Sequence, residues 1–149
     1  MLRRRQASCV NFAGCTDTVT LYHAEYEPVF QCRRIVFEGA YVDQRTLAVE
    51  QEGQAQEEKR CFLVLPNGFG RPVWRPPGAP WPLGGSWFCL QPGDRVMQGQ
   101  GPAVDTLEEW ERFIPLAVEG LMVVQEVAVK RWLGKVSHLE AETRWYKRW

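Results

Sequence analysis

Five prolines crowd into residues 72–82, at Pro72, Pro76, Pro77, Pro80 and Pro82, with Trp74 and Trp81 among them. Each proline fixes φ and lacks an amide proton, so the stretch can be neither a helix nor a central strand. A loop this long in a compact domain is usually functional or disordered. Two tryptophans argue against a solvated linker, which has no use for them. Residues 66–86 are therefore expected to form an extended loop. It either docks on a neighbour through Trp74, Arg75 and Trp81 or folds back over its own domain.

The chain pivots just after this loop. Trp87-Phe88-Cys89-Leu90 reads as an apolar strand end, Pro92-Gly93-Asp94 as a tight turn, and Arg95-Val96-Met97 as a second short strand. Proline presets φ for the first central turn position, and glycine accepts the positive φ a type II turn needs at the second. Asp94 is expected to bond local backbone there.

Strand patterns dominate elsewhere. Thr18-Val19-Thr20-Leu21-Tyr22 alternates as a strand does, and Glu25-Tyr26-Glu27-Pro28 makes a turn. A β-rich stretch follows from Val29 to Gln54, interrupted by Gly39, which marks a bulge or sharp bend. Asp43-Gln44-Arg45 is the expected hairpin tip within it. The residues from Glu50 to Glu58, rich in glutamine and glutamate, read as an exposed turn. Lys59 to Leu65 is the clearest strand, ended by Pro66-Asn67-Gly68.

Asp105-Thr106 carries a helix-capping pattern with acidic residues in the first turn. Leu107, Trp110 and Ile114 recur at helical spacing, predicting one short helix over about 105–114 with that face inward, ended by Pro115. Leu121 to Val129 and Val136 to Glu142 predict a last pair of strands turning at Gly134. The reading is a mainly β fold, a small barrel or sandwich. A single domain over 18–149 follows an N-terminal arm, residues 1–17, that contains Arg3, Arg4 and Arg5.

Composition narrows the partners. Eighteen basic and eighteen acidic residues balance, so net charge supplies no pull toward nucleic acid or membrane. No apolar run reaches the roughly 20 residues of a spanning helix, and none follows the N-terminal arginines as a secretory signal would. Seven tryptophans suit either a β core or a protein-binding surface. Trp87, Trp145 and Trp149 join Trp74, Arg75 and Trp81 as candidate partner contacts. Five cysteines without a Cys-x-x-Cys pair argue for reduced thiols in a cytoplasm. Cys9, Cys15, His23 and Cys32 could surround a metal only by an unusual fold.

No catalytic pattern emerges. Ser86 and Ser137 lack the nucleophile elbow of a hydrolase, and Gly99-Gln100-Gly101 lacks the third glycine and the lysine of nucleotide loops. His138 sits at an alternating β position as a surface or interface residue. Glu108, Glu109 and Glu111 lie on a solvated helix face. The expectation is no enzyme, no cofactor and no metal.

The order of these features resembles a family. A threonine-rich opening strand, Thr18 to Tyr22, precedes Arg34-Ile35-Val36-Phe37-Glu38-Gly39-Ala40-Tyr41 and Cys61-Phe62-Leu63-Val64-Leu65-Pro66. The late Leu90-Gln91-Pro92-Gly93-Asp94 turn and the closing strand Val136 to Ala141 complete the series. Over residues 18–142 this is similar to the small head–tail connector, or head-closure, proteins of the neck of long-tailed bacteriophages. The resemblance implies a β-barrel subunit of a virion, assembled in the bacterial cytoplasm as a hexameric or dodecameric ring. Its partners would be the portal–adaptor complex and tail-terminator or tail-tube proteins, with non-specific contact to packaged DNA possible through the N-terminal arginines and no membrane. A tail-terminator or tail-completion protein, or a cytoplasmic protein-binding β module outside any virion, are the other readings.

Overall fold

The opening strand is longer than its alternating core suggests: β1 runs Asp17–Glu25 in a computed structural model that describes residues 12–145. Arg3, Arg4, Arg5, Cys9 and Trp149 lie outside the described residues. The chain continues through β2 (Gln31–Gln51), β3 (Gln54–Pro66), β4 (Val73–Trp74), β5 (Trp87–Phe88) and β6 (Arg95–Gln98). One helix among the described residues, α1 (Leu107–Arg112), and two long strands, β7 (Met122–Trp132) and β8 (Lys135–Trp145), follow. Six strands close into an antiparallel barrel in the order β1-β2-β3-β8-β7-β6, while β4 and β5 form a separate parallel ladder of two residue pairs. Of the barrel and sandwich expected, the fold is the barrel.

Gly39 is the bend that makes closure possible. Asp17 pairs with Ala40 and Thr18 with Glu38, so Gly39, at φ 95°, bulges out of the ladder. Before it β2 pairs with β1; from Tyr41 onward β2 pairs with β3. A Cβ at this position would strike the Arg71 guanidinium. Arg71 Nε donates to the Gly39 carbonyl at 2.7 Å and Nη2 to the carbonyls of Phe12 and Cys15. The end of the expected N-terminal arm is thereby tied to the barrel, and Phe12 also packs against the rings of Phe69 and His138.

The expected hairpin tip at Asp43–Arg45 is corrected. β2 runs straight through these residues, and the turn falls at Glu52-Gly53, both with positive φ. Residues 50–58 are therefore mostly strand rather than an exposed turn. The β7–β8 turn at Leu133-Gly134 has the same two-residue, positive-φ form that matches the twist of flanking strands.

β1 is buried on both sides. Val19 and Leu21 face the barrel interior with Phe37, Leu63, Leu139 and Val96; Tyr22 and Ala24 face an outer cluster with Val104, Trp110, Phe113 and Leu121. α1 caps that outer cluster. Thr106 is its N-cap: Thr106 Oγ1 accepts from the Glu109 amide and Glu109 Oε1 from the Thr106 amide, the reciprocal pair of a capping box. Trp110 packs inward as its spacing predicts, but Leu107 is 41% exposed and Phe113 takes the inward place instead. The helix ends at Arg112, before Pro115 can stop it. After one and a half turns, the capped helix has room for only one buried anchor.

Candidate functional site

The long loop closes one end of the barrel, and the barrel supplies the anchor. His23 follows Val19 and Leu21 on the interior face of β1 at a two-residue period. At 1% exposed it has no water to bond and must find partners within the protein. His23 Nδ1 meets Asp94 Oδ2 and His23 Nε2 meets Glu25 Oε2, each at 2.7 Å. Asp94 Oδ2 also accepts from the Gln91 amide at 2.9 Å, and Oδ1 from the Ala24 amide at 3.3 Å.

Two carboxylates on one ring need a proton on each nitrogen, so the imidazole is cationic. Burial disfavours that charge, but the bonds to Asp94, Cys89 and Glu25 and the charge of Asp94 outweigh it, and the His23 pKa is pushed up to about 10. Burial also pushes the Asp94 carboxyl up, opposed by His23 and the two amides. For Glu25, burial is outweighed by the His23 bond, the Gly78 amide and the neighbouring Trp81 indole, which hold it below the usual glutamate value.

The loop is fastened here. The Gly78 amide donates to Glu25 Oε2 at 3.3 Å. The Trp81 ring lies 6.0 Å from the His23 ring and edge-on to Trp87 at 5.2 Å. The Arg33 guanidinium sits 4.5 Å over the Trp87 ring and donates to the carbonyls of Gly85 and Trp87. One residue on, Phe88 plugs the barrel interior edge-on to Phe37.

The candidate partner contacts are therefore distributed over the molecule. Trp81 and Trp87 come together, and Trp87 is only 5% exposed, a member of the core. Trp74 pairs with Phe88 across the β4–β5 ladder and packs against the interior cluster. Arg75 is exposed, its amide bonded to the Phe88 carbonyl. Trp145 lies at the far end of β8, opposite Lys59 on β3. His23 and Cys32, two of the four possible metal ligands, are on opposite faces of the barrel wall, Cys32 packing with the outer cluster.

His23, Glu25 and Cys89 do bring three donor atoms within 4.8 Å of one another. A metal would require a ring lone pair and a thiolate, whereas both His23 nitrogens are occupied as proton donors to carboxylates. Chemically the cluster is a buried ionic clasp between barrel and loop, and a doubly bonded imidazolium offers no free base.

Sequence reasoning placed Asp94 with its local amide and named His23 only among possible metal ligands, missing its pairing with Asp94, 71 residues away. The signal available was the two-residue period that puts His23 in line with Val19 and Leu21. On the outer wall, Phe62, Glu126, Glu140 and Glu142 border an open groove of about 400 Å³, with Glu126 directly opposite Glu142. Among the described residues no helix is long and apolar enough to cross a membrane. Comparison with protein-family models, curated proteins and solved structures returns no match.

Two hairpins reach beyond the closed wall. β3 pairs with β8 as far as Lys59↔Trp145, the last described residue, and among the described residues 54–58 pair only with β2. β7 pairs with β6 only at Met122 and Val123, and from Glu126 to Trp132 it pairs only with β8. Because β3 and β8 are antiparallel, these two projections leave the barrel at opposite ends.

Proposed function

We propose that this chain is a structural assembly subunit, a ring-forming connector of the neck of a tailed bacteriophage. The observation that carries the proposal is the pair of β ribbons projecting from opposite ends of a closed barrel. Each leaves a row of backbone donors and acceptors without a strand partner among the described residues, a ready template for strand addition. A ring needs two different patches on each subunit, related by a rotation that closes. The two ribbons offer such patches, and the closed barrel offers a rigid body between them. Function on this reading is positional: the subunit holds neighbours in register and turns over no substrate. The resemblance in strand order to head-closure proteins supplies the setting.

Gold-labelled antibody on purified phage particles, viewed by electron microscopy, tests the reading. The expected result is label at the junction of head and tail. Label along the tail instead would move the subunit to a tail-terminator or tail-completion role. Intact particles that carry no label, with the epitope shown to be accessible, would overturn the virion assignment.

A further inference from the structure

We propose that successive copies of this chain join head to tail, the acidic β2–β3 ribbon of one copy seating on the basic β7–β8 tip of the next. The inference rests on the ring-forming reading and names the contact that would make the ring.

Charge is the first argument. Residues 46–57 of the ribbon contain Glu50, Glu52 and Glu57 and no lysine or arginine, while residues 130–135 of the tip contain Lys130, Arg131 and Lys135 and no aspartate or glutamate. The two segments carry three charges each, of opposite sign. Glu50 and Glu52 are exposed and take part in none of the ion pairs among the described residues; nor do Arg131 and Lys135. Lys130 has only a marginal contact, 4.0 Å from Glu140. Among the described residues Glu50, Glu52, Arg131 and Lys135 are thus left to meet a partner, and complementary patches steer encounter and fix register.

Apolar surface is the second. The basic tip carries Trp132 and Leu133, the latter 84% exposed. An exposed aromatic beside cations is the composition of an interface centre rather than of a solvated turn. Backbone is the third, since among the described residues one edge of β7 is unpaired as it leads into this tip and the outer edges of both ribbon strands are unpaired beyond the barrel wall.

The fourth argument selects a second copy as the occupant. From Gly53 to Pro66 the chain advances more than about 40 Å at the rise of a strand, and the basic tip lies beyond the Pro66 end. Ribbon and tip of one chain cannot meet, so the complementarity is satisfied between chains. A contact between two different patches is heterologous and repeats until it closes.

A charge-swap experiment on the full chain tests this, read by sedimentation velocity over a range of concentration at low salt. The ribbon swap is Glu50→Lys with Glu52→Lys; the tip swap is Arg131→Glu with Lys135→Glu. All four positions are exposed, and circular dichroism verifies the fold of each variant. Each swap alone is expected to raise the concentration needed for association about tenfold or more. The chain carrying both swaps, and an equal mixture of the two singly swapped chains, should recover association near that of the unaltered chain. Raised salt should weaken the unaltered contact. Unchanged association in the single swaps, no recovery in the combined chain, or an unaltered chain that stays monomeric at millimolar concentration would each overturn the contact. Neck label on particles with swap-insensitive association would remove this contact and leave the connector reading standing. Swap-sensitive association in a chain absent from particles would do the reverse.

Discussion

At the scale of single residues, the buried His23–Asp94–Glu25 clasp sets the pH behaviour. The His23 pKa rises from the ordinary 6.5 to about 10 on folding, so its contribution to stability is fully present below pH 6.5 and is lost as pH rises through about 10. The urea midpoint should therefore fall between those limits, followed by tryptophan fluorescence. Asp94→Asn should flatten that slope and cost about 3 kcal/mol or more at neutral pH, because it leaves a buried cation with one carboxylate fewer. An Asp94→Asn chain with the unaltered slope would show that Asp94 is not what holds the proton on His23. The sequence made half of this cluster legible. Strand alternation puts His23 inside and the Pro-Gly turn gives Asp94 its local amide, but nothing local ties two residues so distant in the chain. Their pairing is a consequence of β1 lying beside β6, which only closure of the barrel decides.

Among elements, those with strong local chemistry were readable and those fixed by register were not. The Thr106 cap, the Gly134 turn and the Gly39 bend each depend on a residue type at one position, and each occurs where its chemistry requires. The β2–β3 tip was misplaced because its glutamine- and glutamate-rich flanks lack apolar alternation. They are strand through pairing with each other, continued outward from the buried part of the hairpin. The parallel β4–β5 ladder is equally invisible locally, since two prolines flank two-residue Val73–Trp74 and the partner lies 14 residues on. The loop resolves the alternative left open by its composition by folding over its own barrel, with Trp87 in the core and Trp81 as its cover. Trp87→Ala should thus cost about 3 kcal/mol or more, as a buried aromatic does. Trp81→Ala, at a half-buried position, should cost about 2 kcal/mol. Urea unfolding of the two variants checks the order; equal costs near zero would mean that the loop is not packed on the barrel.

On the scale of the whole molecule, the closed barrel leaves few ways to associate. Among the described residues its wall has no free edge except where the two ribbons leave it, and exposed strand edges are the sites at which β proteins pair. Their placement at opposite ends, with opposite charge, is the basis of the proposed repeating contact between copies. A small barrel or sandwich was legible in the run of short strands and bends, and closure decided between them. The ribbons were not, because the reach of the β7–β8 ribbon depends on how early β6 leaves β7 and that of the β2–β3 ribbon on where its turn falls. Native mass spectrometry of the purified chain at low salt tests the central claim most directly. A ring built from one heterologous contact predicts a single closed stoichiometry, hexamer or dodecamer, with few species between it and the monomer. A monomer at every concentration, or an open-ended ladder of sizes, would contradict it.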